Sequence, residues 1–315
     1  MKPLSAPVIC LVGPTASGKT DVAQQVALRL GGEVVSADSM QIYRGMDIGT
    51  GKLPPNERLV PHFGFDLKDP GEPYSAALFQ DYARSTFEDI DGRGHRCVLC
   101  GGTGLYVRAA IDDYEFPRGE QVANPVRDQY MALAEREGAQ ALWDLLNERD
   151  PASAAVVHPN NVRRVVRAFE LLEAGESYAH QKEQLAAIPP FLPALQFGLA
   201  VDPALLNERI NRRVDAMVEA GLVDEVRRLL ASGFRDGVTA PQAIGYKEIV
   251  EALEGRSTLD DAIEAIKLAT RRYAKRQRTW FRRDGRIQWI NADEGNVEAM
   301  AQEIVARISE QESSL

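Results

Sequence analysis

The chain reads as an α/β protein, a parallel sheet with helices packed on it, interrupted by a helical insertion. Three observations predict this. Short, largely apolar runs alternate with stretches of helical periodicity over the first hundred or so residues. From about Asp113 to Ala194 helical periodicity continues without a convincing strand. A strand pattern then returns at Gln196–Val201, which makes the strandless stretch an insertion into a domain that resumes after it.

Taken in order, Val8–Val12 is a β-branched run bounded by Gly13 and reads as a buried strand. From Lys19 to Leu30 the residues Val22, Ala23, Val26, Ala27 and Leu30 recur at helical spacing, and Gly31-Gly32 stops the helix. Glu33–Ser36 is a second strand. Cys97–Cys100 is another, leading through Gly101-Gly102 into a helix over Thr103–Ala110. Turns are expected at Arg118–Pro125, Asp150-Pro151 and Ile188–Pro193. Residues 203–283 read as mostly helical with a break near Gly233–Pro241, followed by a strand at Ile287–Ile290 and a closing helix at Val297–Ile308. The expected organisation is a core of residues 1–112 plus 196–315, with a helical domain at 113–195.

Composition bounds the class. With 315 residues, 44% of them hydrophobic and 26% charged, the chain is globular, and collagen-like, coiled-coil and low-complexity readings fall away. No apolar run approaches the roughly 20 residues of a membrane span. Met1-Lys2-Pro3 leads straight into the first strand, so no cleaved signal segment is expected. Three cysteines cannot build a disulfide framework, and a reduced, cytoplasmic protein is expected. Cys97 and Cys100 read as buried thiols, because residues three apart on a strand face opposite sides. The net charge of −9 argues against a nucleic-acid partner.

Gly13-Pro14-Thr15-Ala16-Ser17-Gly18-Lys19-Thr20 satisfies G-x-x-x-x-G-K-[ST] between a strand and a helix. In that context the loop's N–H groups and the helix N-terminus face phosphate oxygens. Lys19 reaches the outer oxygens and Thr20 offers its hydroxyl to Mg²⁺. The core is therefore expected to be P-loop NTPase-like. NTP-hydrolysing members of that class hold the metal with a second acid at a strand end. Here the Cys97–Cys100 strand ends in Gly-Gly-Thr, which favours a transferase using a phosphorylated donor and leaves small-molecule kinases open.

Ser36-Ala37-Asp38-Ser39-Met40-Gln41 follows the second strand, at the sheet edge where ligands bind. Asp38 is placed to accept a proton from a nucleophile, and a turn or helix-cap aspartate is the equal alternative. Tyr43, Arg44 and Asp47 read as a polar loop covering a substrate. Thr103 is either a helix N-cap or a substrate contact.

Two basic clusters oppose the net charge. Arg163, Arg164 and Arg167 share one helix face. Between Arg271 and Arg286 eight basic residues meet one acid, Asp284, so this segment carries +7 and the rest −16. A solvated helix face is the ordinary meaning of such a run. Interleaved Tyr273, Trp280 and Phe281 favour a nucleic-acid backbone surface.

Together these residues resemble the tRNA dimethylallyltransferases, nearly end to end. The resemblance is carried by Gly13–Thr20, Ala37–Thr50, Gly101–Tyr106, His158-Pro159-Asn160, Ile244–Glu248 and Tyr273–Arg282. It implies transfer of a dimethylallyl group from dimethylallyl diphosphate to N6 of adenine 37 in tRNAs reading codons that start with U. Asp38, Thr103 and Arg213, beside Arg212, would be catalytic, with Asp38 accepting the N6 proton. Gly13, Pro14, Thr15, Ala16, Ser17, Gly18, Lys19 and Thr20 would hold the diphosphate, with Mg²⁺ on Thr20. The tRNA anticodon stem-loop would meet Asp38, Ser39, Met40, Gln41, Thr103, Arg127, Arg163, Arg164, Arg167, Tyr246, Lys247, Lys275, Arg276 and Arg278. A monomer that contacts no membrane is expected. The rival readings are a P-loop small-molecule kinase, an adenylate prenyltransferase and a nucleotide-switched RNA-binding protein.

Overall fold

The computed structural model describes residues 2–116, 124–186 and 188–313. Strand β1 (Val8–Val12) is buried along its whole length and runs into the glycine loop that opens helix α1 (Lys19–Leu30). Around it stand β2 (Gly32–Ser36), β3 (His62–Phe63), β4 (Arg96–Gly101), β5 (Ala194–Ala200) and β6 (Ile287–Asn291), in the order β3-β2-β4-β1-β5-β6. Every neighbouring pair is parallel. Ser36 pairs with Cys100 and Val12 with Gly101, so three carboxyl ends lie flush. The side-chain period of two sends Ile9 and Leu11 to one core and Val8, Cys10 and Val12 to the other. The first core is completed by α1 and by α12 (Val297–Glu312), the second by α2 (Ala76–Gly92) and α3 (Gly104–Ile111). Cys100 belongs to the first core and Cys97 to the second. All three cysteines are free and buried, and burial pushes the Cys97 and Cys100 thiols up to about 12.

A third core lies under the helices that follow β5: α8 (Pro203–Glu219), α9 (Leu222–Leu230), α10 (Tyr246–Leu253) and α11 (Leu259–Phe281). Tyr43 corrects the reading of a substrate-covering loop: it is fully buried in this core with Ile42 and Met46. Arg44 pairs with Asp69, and Asp47 with the buried Lys52. The basic run is also less uniform than its sequence suggests. Arg286 holds the fully buried Asp112 through both guanidinium nitrogens (2.6 and 3.0 Å) and pairs with Asp284, so it is a structural cation.

By contact, the chain divides into Met1–Asp112 with Phe191–Leu315, and Asp113–Pro190. The return to the core thus falls at Phe191 rather than 196, because β5 begins at Ala194 and the chain is already bonded to Ile111 at Phe191 and Leu192. The second unit contains α4 (Pro125–Arg149, interrupted at Gly138), α5 (Pro151–Ala155), α6 (Val162–Glu173) and α7 (Tyr178–Ala186). Its core joins Tyr130, Leu142, Leu146, Val165 and Phe169. The turn expected at Arg118–Pro125 lies mostly outside the described residues. Neither α2 nor β3 was expected. No described helix is long and apolar enough to cross a membrane.

Candidate active site

The site is built where β1, β2 and β4 end. The loop after β1 turns through Ala16 (φ 62°) and Gly18 (φ 84°), the nest-forming geometry that aims N–H groups inward. Lys19 folds back over it, its Nζ 3.2 Å from the Pro14 carbonyl. Burial pushes the Lys19 pKa down, as the Arg213 charge also does, while nearby Cys100 and Asp38 raise it. Arg213, on α8, is likewise lowered by burial and held up by Asp38 and Asp21. Two half-buried cations beside one phosphate loop form a site that an anion completes.

Arg213 borders three spaces that share lining residues. A cavity of about 290 Å³ is lined by the polar Thr15, Asp38, Ser39 and Arg213 and by the apolar Ile210, Val214, Met217, Leu222 and Ile266. A second, of about 460 Å³, contains Lys19, Thr20 and Asp21. A narrow gap of about 40 Å³ joins Lys19, Asp38, Gln41 and Arg213. Arg212 is exposed and lines none of them, so the arginine that faces the site is Arg213.

Asp38 has the turn geometry of its alternative reading: Oδ1 accepts the Met40 N–H at 2.9 Å. No described residue hydrogen-bonds its Oδ2. Thr103 occupies the N-cap position of α3 but makes no side-chain cap bond. Its hydroxyl oxygen instead accepts the Ser39 N–H at 3.0 Å, fixing the Asp38–Met40 turn, and it does not line the cavity. Gln41 spends its amide inside the protein, donating to the Thr50 and Gly51 carbonyls (3.3 Å each) and accepting from Ser36 Oγ (2.8 Å). Met40 and Arg276 line the cavity. Tyr246 lines it too but is fully buried, its hydroxyl given to Glu225.

The basic residues fall into separate groups. Lys247, Lys275 and Arg276 are exposed, and Arg278 is half-buried. In the helical unit Arg163 and Arg164 are exposed. Arg127 and Arg167 pair with the buried Glu170 at 2.6 and 2.9 Å. Burial opposes the Glu170 charge, yet hydrogen bonds from these two arginines hold its pKa below the usual range.

Sequence reasoning missed Gln277 and Glu225 and took Gly51, where alanine is common among the resembled enzymes, as harmless. Gln277 accepts the Thr15 N–H and donates to the Gly102 carbonyl, both at 2.9 Å, tying the phosphate loop to helix α11. At Gly51 (φ 60°) a Cβ would sit 1.8 Å from Arg213 Nη2, so a side chain there would move the guanidinium. Glu225 gathers the loop beside Gly51 and is taken up below. Only Gln277 lay in a highlighted segment, and nothing local marked it.

A model of IPP transferases matches residues 41–284, and one of isopentenyl transferases matches 6–60. The chain is 45% identical to the tRNA dimethylallyltransferase of Carboxydothermus hydrogenoformans, over 96% of this chain and 97% of that protein.

This chain belongs to the tRNA dimethylallyltransferase family.

Solved structures agree. The tRNA isopentenylpyrophosphate transferase of Bacillus halodurans is 42% identical with a TM-score of 0.69, covering 98% of each chain. A eukaryotic dimethylallyltransferase acting on tRNA is 28% identical with a TM-score of 0.78, over 98% of this chain and 80% of that one. The parallel core is P-loop NTPase-like, as members of the family share.

Proposed function

We propose that this chain transfers a dimethylallyl group from dimethylallyl diphosphate to N6 of adenine 37 in the anticodon loop of tRNAs reading codons that start with U, releasing diphosphate. The observation that carries this is Arg213: it joins the phosphate loop to the cavity that holds Asp38 and an apolar lining. A donor with an anionic and a branched apolar end fits that arrangement. The adenine must leave its stack to reach Asp38, which supports extrusion from the loop.

The N6 lone pair attacks C1 of the dimethylallyl group and the C1–O bond breaks, its electron pair leaving with the diphosphate. The N6 proton passes to Asp38. Lys19, Arg213 and the loop N–H groups other than those of Thr15 and Ser17, which are bonded to Gln277 and the Pro14 carbonyl, receive the growing negative charge. Thr20 lines two of the three spaces, and no described residue hydrogen-bonds its hydroxyl, so Thr20 is the residue that would hold Mg²⁺. Bound there, the ion would supply further charge neutralisation at the leaving group. Free, buried thiols support a reducing, cytoplasmic setting.

Radiolabelled dimethylallyl diphosphate offered with tRNA and, separately, with AMP tests the reading. Label is expected in tRNA; label entering AMP but not tRNA would replace it with the adenylate reading. Phosphate transfer from ATP to a small acceptor would establish a kinase. Alanine at Lys275 and Arg278 is expected to weaken tRNA binding and to flatten its log–log salt slope by about 1 to 2, measured by filter binding.

A further inference from the structure

Residues 47–51 form the loop on which the three spaces converge. Gly49 and Thr50 line the cavity with Asp38, Asp47 and Gly51 line the phosphate-side cavity, and Gly51 abuts Arg213. One buried carboxylate organises this loop. Glu225 Oε2 accepts the N–H groups of Asp47 (3.1 Å) and Ile48 (2.8 Å), while Oε1 accepts those of Gly49 (3.2 Å) and the Tyr246 hydroxyl (2.7 Å). Glu225 is 2% exposed, and no described lysine or arginine pairs with it. Its charge is held by dipoles alone, as a bound anion would be in a nest of successive N–H groups. The Tyr246 ring closes the arrangement. A Cβ at Gly49 would lie 2.6 Å from that ring, so loop, tyrosine and carboxylate fit at contact distance.

A buried carboxylate without a cation is an expensive way to stabilise a fold, since removing it from water is unfavourable unless every lone pair is used. Here its donors are the backbone of a loop that lines the site, while Glu225 itself lines none of the cavities. We propose that Glu225, completed by Tyr246, is a positioning residue for the donor diphosphate. It sets the 47–51 loop and, through Gly51, the place of the Arg213 guanidinium. This rests on the reading of Arg213 as a diphosphate ligand, and it assigns Tyr246 to the donor side of the site rather than to the tRNA surface.

Glu225→Gln in the full chain tests it. The amide has one acceptor where the carboxylate has two, so in either orientation at least one backbone N–H of the loop loses its partner. The KM for dimethylallyl diphosphate and the Kd for inorganic pyrophosphate are expected to rise about tenfold, the loss of a hydrogen bond to a charged group, with tRNA affinity within about twofold. Amide exchange should accelerate in 47–51 and not in the sheet. Tyr246→Phe should weaken pyrophosphate about two- to threefold. Should Glu225→Gln fail to fold, the tyrosine variant alone decides. Faster loop exchange with unchanged pyrophosphate affinity would overturn the proposal, as would equal losses for donor and tRNA. If the wild-type chain moves no prenyl group to tRNA while Glu225→Gln still weakens pyrophosphate tenfold, the functional reading falls and the positioning role stands.

Discussion

Replacing Asp38 by alanine is expected to slow dimethylallyl transfer by about three orders of magnitude while leaving tRNA affinity within about twofold, within the range for removing a positioned general base. The expectation comes from how the carboxylate is held. One oxygen is fixed by the Met40 N–H, so the group cannot swing away, and the turn carrying it is pinned by Thr103. The other oxygen has no partner among the described residues, in a cavity where Lys19 and Arg213 also lie close. An adenine amino group supplies the missing donor. Asparagine separates orientation from proton transfer, because its carbonyl oxygen can still accept the Met40 N–H but cannot take a proton. Asp38→Asn should therefore fall within about threefold of the alanine variant. Single-turnover transfer and filter binding measure the two quantities independently. Asparagine with more than a tenth of the wild-type rate would make Asp38 an orienting acceptor, and collapse of tRNA binding would make it structural.

What the sequence showed, and what it hid, follows the range of the interactions involved. Strand β1, the phosphate loop and α1 were legible because a buried apolar run, a glycine motif and helical spacing coincide within a short window. Helix α2 had a comparable local signal, Ser75 as cap and Phe79, Ala83, Phe87 and Ile90 on one face, and required only that the spacing be followed. Strand β3 had none: two residues become a strand because Val34 and Val35 offer a free edge. The same division holds at the site. Lys19 and Asp38 sit beside strand ends that can be read locally. Gln277 meets its partner 262 positions away, and Glu225 meets the 47–49 loop across 176 to 178 positions, so neither role was visible. The net charge hid the basic clusters by averaging, and the clusters themselves are not all free cations: Arg286 in the core unit and Arg127 and Arg167 in the helical unit are committed to carboxylates. Only helix geometry separates the two neighbouring arginines. Arg213 lies three residues after the buried Ile210 and four before Met217, on the face turned toward the cavity, while Arg212 points outward.

That geometry sets the second large effect. Arg213→Ala is expected to lower kcat/KM for dimethylallyl diphosphate by about 10²–10³, with tRNA affinity within about twofold, the scale for losing one charge-stabilising group in a water-poor site. The loss should appear in kcat as well as KM. Diphosphate gains negative charge as the C1–O bond breaks, so a fixed cation interacts more strongly with the transition state than with the bound donor. Burial has already pushed Arg213 and Lys19 below their ordinary pKa values, and removing one leaves the other to face the leaving group alone. Lysine at 213 restores charge but not the planar fork, and should recover about a tenth of the lost activity. Arg212→Ala, outside all three spaces, should leave the donor KM within about threefold, as a surface charge does. A rise in KM with kcat unchanged would show that Arg213 grips donor and transition state equally. A large donor effect at Arg212 instead would mean that α8 is rotated by one residue relative to the cavity, and with it the assignment of every group on that face.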